Sequence, residues 1–307
     1  MTNVFIDGSA GTTGLRIYDR LSARDDIFLI KLPENLRKDD VARADAINSA
    51  DIVFLCLPDD AARQAVDFVK NDNTAIIDTS TAHRVNDAWV YGFPELTGKR
   101  DAIINSKRIA NPGCHASGFI ALVKPLVELG VLNGEASLNC FSITGYSGGG
   151  KKMIAEYESE NKSSLLLAPR QYGLTQQHKH LKEMQAVTEI AMPPAFCPVV
   201  ADFYSGMEVT VTLPKKDINA NVENIKEIYK NYYTGALVHF DDNADESGFL
   251  SAAAFSGKDD MQITVCGNNE RILLVARYDK LGKGASGAAI QNMNILMGVP
   301  EETGLAF

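Results

Sequence analysis

Cys114 and His115 lie side by side in the segment NPGCHASG, which has the residue types for nucleophilic chemistry. The residues that follow, FIALVKPLVELG, are mostly apolar and predict a helix, so Cys114 lies where a turn becomes a helix. At a helix start, unpaired backbone N–H groups and the helix dipole favour negative charge and therefore an ionised thiol. A small buried cysteine beside a glycine would have the same local sequence. This segment alone does not choose between the two interpretations.

A glycine-rich segment, GSAGTTG, follows the first apolar run and precedes a helical pattern. Its spacing is GxxGxxG, and a turn of this kind brings backbone N–H groups and a helix N-terminus to a pyrophosphate. Hydroxyl side chains between the glycines add further donors. The candidate cofactor ligands in this segment are Gly8, Ser9, Gly11, Thr12, Thr13 and Gly14. We expect a dinucleotide to bind here, and a plain structural turn is the alternative.

Basic residues follow the second predicted strand, where an NAD site usually has a carboxylate for the ribose 2′-hydroxyl. Glu34 is displaced past a proline, and Lys31, Arg37 and Lys38 lie nearby in sequence. Positive charge suits a 2′-phosphate, so the sequence favours NADP over NAD. A solvated loop with scattered charges is the alternative for each residue singly.

Strand and helix patterns alternate over the first part of the chain, which predicts an α/β fold with an N-terminal Rossmann-type, doubly wound parallel sheet. After residue 135, strand patterns such as GMEVTVTLP and RILLVARYD follow one another with few helices. They predict an α+β second domain with a mostly antiparallel sheet, and Asn268-Asn269 suggests a hairpin turn in it. We expect residues 1–115 to form the dinucleotide-binding domain, completed by a C-terminal helical segment at 284–307. Residues 116–283 would form the catalytic and oligomerisation domain.

The composition of the 307-residue chain, with 45% hydrophobic and 22% charged residues, is typical of a globular protein. A net charge of −9 argues against non-specific binding of nucleic acid. The N-terminus lacks the regions of a signal peptide, and no segment approaches the roughly 18 apolar residues of a membrane span. We therefore expect a cytoplasmic protein that binds neither nucleic acid nor membranes.

The five cysteines are dispersed and match neither a CxxC motif nor the spacing of a zinc site, so no metal is expected. Cys56, Cys140 and Cys266 fall in strand patterns and are interpreted as packing residues. Cys197 lies in an extended proline-rich segment and is assigned no role. Only Cys114 has a turn on one side and a helix on the other.

Eight segments occur together in one order: GSAGTTG, FLCLP, DTSTAHR, YGFPEL, NPGCHASG, GYSGGGKK, QQHKHLKEM and KGASGAAIQNMN. The set closely resembles the N-acetyl-gamma-glutamyl-phosphate reductase family of arginine biosynthesis, in its shorter form, through nearly the whole chain. NPGC and HKH…EM are the most specific pieces. More distantly, the chain resembles aspartate-semialdehyde dehydrogenase.

The resemblance implies an NADPH-dependent reduction of an acyl phosphate to an aldehyde, through a thioester on Cys114. It assigns the family's H-x-H motif to His178 and His180 and implies a homodimer or homotetramer. From the late glycine-rich segment it adds Gly284, Ala285 and Asn292 to the cofactor ligands. Where longer members of the family have an acidic-aromatic step before Arg84, this chain has Thr-Ala-His.

The implied reaction needs a histidine to accept the thiol proton and later to protonate the departing alkoxide. His115 directly follows Cys114, and neighbouring helical positions point about 100° apart, so its ring cannot readily reach the sulfur. His239 is expected to be structural, and His83 is left between a substrate contact and a surface role.

His178 and His180 remain as candidates for the general base. They would diverge on a helix and share a face in an extended turn. His180 is favoured as the base, with His178 as a substrate ligand or the alternate base.

The implied substrate is a small anionic acyl phosphate, so cations and glycine-rich turns are candidate anchors. The candidates are Arg84, Asn111, Gly148, Lys151, Lys152 and Arg170. Asn111 could hold the departing phosphate or fix the turn, and solvent exposure is the alternative for each cation. The acyl chain length cannot be read from the residues, so an aspartyl-phosphate reductase is the second candidate. A non-catalytic NADP-binding regulator is the third.

Overall fold

The structure is a computed structural model that describes all 307 residues, which divide into two compact units. The first unit consists of Met1–Pro112 and Ala285–Leu305. The second unit consists of Gly113–Gly284 and Ala306–Phe307. Helices and strands are numbered along the chain.

A six-stranded parallel sheet forms the centre of the first unit, in the order β2-β1-β3-β4-β6-β5. Its strands are β1 (Thr2–Asp7), β2 (Ile27–Ile30), β3 (Ile52–Leu55), β4 (Ala75–Asp78), β5 (Val90–Tyr91) and β6 (Arg108–Ala110). Its helices are α1 (Thr12–Leu21), α2 (Asp40–Ser49), α3 (Asp59–Asp67), α4 (Lys99–Ile104) and α9 (Gly287–Met297). The predicted doubly wound parallel sheet is therefore confirmed.

Strands β3 and β4 are buried along their whole length, because helices cover both faces of a parallel sheet. The C-terminal helix α9 belongs to this unit, where Ile290 and Met293 pack in one hydrophobic cluster with Val4 and Ile77. A short π-helical turn at Gly282–Ser286 precedes α9, so the helix predicted from residue 284 begins in a wider turn.

A seven-stranded mixed sheet forms the second unit, in the order β11-β12-β13-β10-β7-β9-β8. Its strands are β7 (Asn139–Gly145), β8 (Arg170–Gln171), β9 (Ala195–Ala201), β10 (Met207–Pro214), β11 (Val238–Phe240), β12 (Met261–Asn268) and β13 (Arg271–Tyr278). Its helices are α5 (Cys114–Glu128), α6 (Gly150–Glu158), α7 (His180–Thr188) and α8 (Val222–Tyr232). Only the β11–β12 and β7–β9 pairs are parallel, which confirms a mostly antiparallel sheet.

Helix α5 packs against β10 and β13, and α7 packs against α5. The proline-rich segment around Cys197 contains strand β9, which pairs with β7 although Pro198 lies within it. The hairpin between β12 and β13 is confirmed, but its turn lies one residue later than predicted. Asn268 pairs with Arg271 in the ladder, and its Oδ1 accepts hydrogen bonds from the N–H groups of Glu270 and Arg271. No helix combines the length and the apolar character that a bilayer crossing requires.

Candidate active site

In the first unit, the glycine turn joins β1 to α1, and β3 is the strand beside β1 in the sheet. Gly8 directly follows β1 with φ +89°, and a Cβ on it would lie 2.3 Å from the carbonyl oxygen of Cys56, just after β3. A Cβ on Gly14 would lie 2.6 Å from the Gly8 oxygen. Only glycine fits either position. The turn therefore holds the backbone close to the switch point between β1 and β3, where α/β sheets bind their ligands.

Helix α1 begins at Thr12 directly after this turn, and no side chain caps its N-terminus. Its first N–H groups are left available for an anion, and no acidic residue in the first turn opposes one. The turn borders a cleft of about 790 Å³ that is lined by Gly8, Ser9, Arg37 and Lys38, among others. Of the predicted cofactor ligands, the structure thus brings these four to one cleft and places Thr12 and Thr13 at the start of α1.

A buried ion pair closes one side of the same cleft, and sequence reasoning missed it. Arg43 donates from Nε and Nη2 to Asp7 at 3.1 and 2.9 Å, and from Nη1 to Asp40 at 3.1 Å. Burial raises the pKa of Asp7, and the hydrogen bonds and charge of Arg43 oppose that shift. Lys31, Arg37 and Lys38 are all exposed, and the Nζ of Lys31 lies 4.9 Å from the ring centre of Tyr18.

Four predicted ligands of the first unit form one hydrogen-bonded cluster. Asn111 Nδ2 donates to the Ala285 oxygen at 3.0 Å, and Asn292 Nδ2 lies 3.4 Å from Asn111 Oδ1. Arg84 donates from Nε to the Asn111 oxygen and from Nη2 to the Thr79 oxygen, both at 2.9 Å. Asn292 is fully buried, and its Oδ1 accepts no hydrogen bond. An unused buried acceptor is rare, so this atom is available to a ligand's amide.

His83 is buried beside the same loop, so the surface role considered for it is wrong. Its Nδ1 lies 2.6 Å from Asp78 Oδ2, and its ring stacks on Trp89 at 4.1 Å between ring centres. Asp78 also accepts hydrogen bonds from the backbone and hydroxyl of Ser80 at 2.9 and 2.8 Å. The buried carboxylate organises the loop that carries Arg84.

In the second unit, Cys114 is the first residue of α5, as the sequence predicted from the turn before it. Gly113, the N-cap residue, donates its N–H to Glu183 Oε1 at 2.7 Å, and Glu183 is only 2% exposed. Tyr278 donates its hydroxyl to the Cys114 carbonyl oxygen at 2.5 Å. A Cβ on Gly284 would lie 3.1 Å from the Cβ of Cys114, so glycine at 284 keeps space beside the thiol.

The histidines of the H-x-H motif lie at the entrance to α7, and their rings gather around His115. His180 is the first residue of the helix and is buried, whereas His178 precedes it and is half-buried. The two ring centres are 4.7 Å apart, and they lie 5.6 Å (His180) and 6.0 Å (His178) from the His115 ring centre. The two side chains therefore share one cluster, as expected for a pair that spans a turn.

His115 itself is held by polar partners on both sides of its ring. Nδ1 lies 2.7 Å from Ser142 Oγ, and Nε2 lies 2.7 Å from the Tyr172 hydroxyl. Burial, followed by the positive charge of Lys280 and by His178, holds the pKa of His115 well below its ordinary value. Burial and the neighbouring Cys114 raise the pKa of Tyr172. His115 is thus a neutral, fully engaged ring, in agreement with its exclusion as the base.

The other predicted anchors of the second unit lie near the turn before α6. Gly148 packs against Lys280, and Lys151 and Lys152 are exposed in the first turn of α6. Arg170 donates to the Tyr157 hydroxyl at 3.0 and 3.3 Å, which directs its guanidinium onto that ring.

Sequence reasoning missed Glu183 and Lys280. Glu183 could have been found, because it lies three residues after His180 on one helical face. No local signal distinguishes Lys280. No three His, Cys, Asp or Glu side chains come together as a metal site.

Two of the other cysteines have thiols that burial keeps protonated. Burial raises the pKa of Cys56 to about 12, and burial also raises the pKa of Cys140 strongly. Both therefore stay protonated and act as packing residues. A glycine turn at the switch point of the first sheet and, in the second unit, a cysteine at a helix start are features of nucleotide-dependent dehydrogenases.

Comparisons with known proteins narrow this class. Residues 22–105 match the family described as "Semialdehyde dehydrogenase, NAD binding domain", and residues 114–280 match "Semialdehyde dehydrogenase, dimerisation domain". N-acetyl-gamma-glutamyl-phosphate reductase 2 of Nostoc sp. is 45% identical to this chain, over 98% of each chain. The reductase of Brucella suis is 43% identical, over 96% of this chain and 98% of its own. The chain belongs to the N-acetyl-gamma-glutamyl-phosphate reductase family and is an oxidoreductase with an NAD(P)-binding domain.

Solved structures show the same fold at much lower identity. Aspartate semialdehyde dehydrogenase II of Vibrio cholerae superposes with a TM-score of 0.73 at 17% identity, over 97% of this chain and 98% of its own. The enzyme of Candida albicans, solved with NADP, gives a TM-score of 0.66 at 17% identity, with the same coverage.

Proposed function

We propose that this protein reduces N-acetyl-L-glutamyl 5-phosphate with NADPH, giving N-acetyl-L-glutamate 5-semialdehyde and phosphate, as a step of arginine biosynthesis. The observation that carries the proposal is Cys114 at the start of α5, tied through Gly113 and Glu183 to the helix that carries His180. The names of relatives that match nearly the whole chain supply the substrate.

The chemistry begins at the Cys114 sulfur. His180 accepts the thiol proton, and the thiolate attacks the acyl carbon to form a C–S bond. The tetrahedral oxyanion then expels phosphate, whose oxygen keeps the electrons of the broken C–O bond and takes a proton from the imidazolium. This leaves a thioester on Cys114. Backbone N–H groups at the uncapped start of α5 are suited to stabilise the oxyanion.

NADPH supplies, when bound, the hydride that reduces the thioester carbon. The resulting tetrahedral oxyanion collapses to the aldehyde and breaks the C–S bond, which regenerates the Cys114 thiolate. The second unit thus supplies nucleophile, proton carrier and oxyanion donors, and the first unit holds the nucleotide.

For the general base we favour His180 because it is the more buried ring and lies on the same helix as Glu183, which fixes the turn before Cys114. His178 would then contact the substrate. Both rings lie at similar distances from His115, so the exchange of the two roles is the alternative, and kinetics must decide between them.

The first unit fits a dinucleotide on its own features: the glycine cradle, the uncapped α1 and the buried, unused Asn292 Oδ1. NADP is favoured over NAD because Arg37 and Lys38 line the cleft without ion-pair partners. Those two cations would bind the 2′-phosphate. The first unit would then act as the nucleotide domain, and the second unit, which begins at Gly113 and contains Cys114, as the catalytic domain.

The remaining substrate contacts are assigned to the hydrogen-bonded loop of Arg84 and Asn111 in the first unit, and to the region of Gly148, Lys151 and Arg170 in the second. Each provides positive charge or backbone donors for an anionic substrate.

We further propose a homodimer or homotetramer that works in the cytoplasm. Phe141 pairs with Thr210 and Leu273 pairs with Thr212, and residues two apart on β10 lie on the same face of the sheet. Phe141 and Leu273 therefore share one face, and both are exposed there, where a second copy of the chain would cover them. Five free cysteines suit a reducing compartment.

The substrate proposal is tested by assaying the purified protein with N-acetylglutamyl phosphate and with aspartyl phosphate. We expect NADPH oxidation with the first and at least a hundredfold lower kcat/KM with the second. A preference for aspartyl phosphate would assign the second candidate activity, and the absence of turnover with either would favour a regulator.

A further inference from the structure

Lys280 is a cation without a partner in the second unit. It follows β13, is half-buried, and makes neither a hydrogen bond nor an ion pair. It directly follows Asp279, whose backbone oxygen accepts a hydrogen bond from Gly284 at 3.1 Å, and a Cβ on Gly284 would lie 3.1 Å from the Cβ of Cys114. A half-buried cation that is left unpaired has its charge available for a ligand.

The side chain of Lys280 occupies the space that a side chain at position 148 would fill. A Cβ built on Gly148 would lie 1.8 Å from Cε and 2.0 Å from Nζ of Lys280. The ammonium therefore lies directly on the backbone of the short 3-10 turn Tyr146–Gly149. Glycine at 148 is what lets the cation come so near to that turn.

The neighbouring residue in the turn, Ser147, is fully buried, and its Oγ has no hydrogen-bond partner. A buried hydroxyl without a partner costs free energy, and native proteins rarely keep one without a reason. The unpaired hydroxyl belongs to the residue next to Gly148, and the unpaired ammonium lies against the Gly148 backbone of the same glycine-rich turn. Their common chemistry is the binding of a tetrahedral oxyanion.

On the basis of the proposed function, we propose that Ser147, the backbone at Gly148 and Lys280 form the subsite for the phosphate group of the acyl phosphate. The phosphate is bonded to the carbon that Cys114 attacks, so it must lie within a few bond lengths of the sulfur, whereas the substrate's α-carboxylate is several bonds farther away. When the C–O bond breaks, Lys280 stabilises the negative charge that the phosphate carries away.

The reverse reaction tests this subsite, because there inorganic phosphate and the semialdehyde are separate substrates. Lys280→Met should raise the KM for phosphate at least tenfold and leave the KM values for semialdehyde and NADP unchanged. Gly148→Ala should raise the KM for phosphate as well, because the new methyl group displaces the ammonium without changing the net charge. Lys216→Met, which removes an exposed lysine elsewhere in the second unit, should change none of these three KM values.

The proposal is overturned if Lys280→Met raises the KM for the semialdehyde instead, because the cation would then bind the carboxylate. It is also overturned if no KM changes.

A second measurement does not depend on turnover. Inorganic phosphate should slow the alkylation of Cys114 by iodoacetamide in the unmodified protein and fail to do so in Lys280→Met. Equal protection in both proteins would place the phosphate elsewhere. If the unmodified protein does not reduce the acyl phosphate, the proposed function fails, while the alkylation result still decides whether Lys280 binds phosphate.

Discussion

The nucleotide cleft of the first unit and the cysteine–histidine cluster of the second are built by different means. The cleft is an open space of about 790 Å³ bordered by a glycine turn, and the backbone N–H groups at the start of α1 beside it have no side-chain cap. The cluster is made of buried and half-buried side chains from distant segments, and both ring nitrogens of His115 have polar partners. Binding a long cofactor requires backbone that comes close, whereas acyl transfer requires a few side chains held at fixed positions.

If the two regions divide the work in this way, removing the thiol should abolish the chemistry and spare the cleft. Cys114→Ser should lower kcat by about 10⁴-fold or more, because a serine hydroxyl is not ionised near neutral pH. The affinity for NADPH, measured by the fluorescence of the bound nucleotide, should remain within about twofold. Substantial turnover by the variant would show that Cys114 is not the nucleophile.

The roles within the cluster are separated by two matched histidine variants. His180→Asn should lower kcat roughly 10²- to 10⁴-fold and flatten the acidic limb of the pH–rate profile, because it removes the general base. His178→Asn should mainly raise KM, because a substrate ligand stabilises ground and transition states alike. Both parameters are to be measured from pH 5.5 to 9. The opposite pattern would exchange the roles, and unchanged kcat in both variants would direct the search to His83.

Substitutions in the cleft should change the preference for NADPH over NADH, and substitutions in the cysteine–histidine cluster should not. NADPH should be used at least tenfold better than NADH, a difference of about 1.4 kcal/mol in the transition state. Arg37→Met and Lys38→Met should each reduce kcat/KM for NADPH and leave that for NADH nearly unchanged. Lys107→Met, an exposed lysine of the same unit outside the cleft, serves as the control. Equal use of both nucleotides by the unmodified protein would instead point to Glu34 as a ribose ligand.

The smallest effect concerns stability, and only the second unit should show it. Burial, with Lys280 and His178, lowers the pKa of His115 well below 6.5. As the pH falls below 6.5, the unfolded chain binds a proton at this ring that the folded protein does not bind, so stability must fall. The loss is about 1 kcal/mol between pH 6.5 and 5.5.

Urea unfolding at several pH values measures this loss. His115→Gln should be less stable at pH 7 but should lose less additional stability than the unmodified protein as the pH is lowered. Parallel pH dependences in the two proteins would contradict a neutral, buried His115.

The amino-acid sequence determined what depends on neighbouring residues. Helix α5 starts at Cys114, the glycine turn follows β1, and the two kinds of sheet occur where the patterns predicted them, because hydrophobic period and glycine conformation act within a few residues. The short strands β5 and β6 and helices α2 and α4 escaped prediction. Their patterns are brief or weak, and tertiary packing decides their conformation.

Only the tertiary structure decided which distant groups meet. Glu183 accepts a hydrogen bond from Gly113, 70 residues away in sequence, and Arg43 forms an ion pair with Asp7, 36 residues away. The side chain of Lys280 lies against Gly148. No periodic pattern or motif spacing in the sequence indicates these contacts, because they result from the order of the strands in each sheet and from the packing of helices on it. The candidate nucleophile could therefore be proposed from the sequence, whereas the groups that surround it depend on the fold.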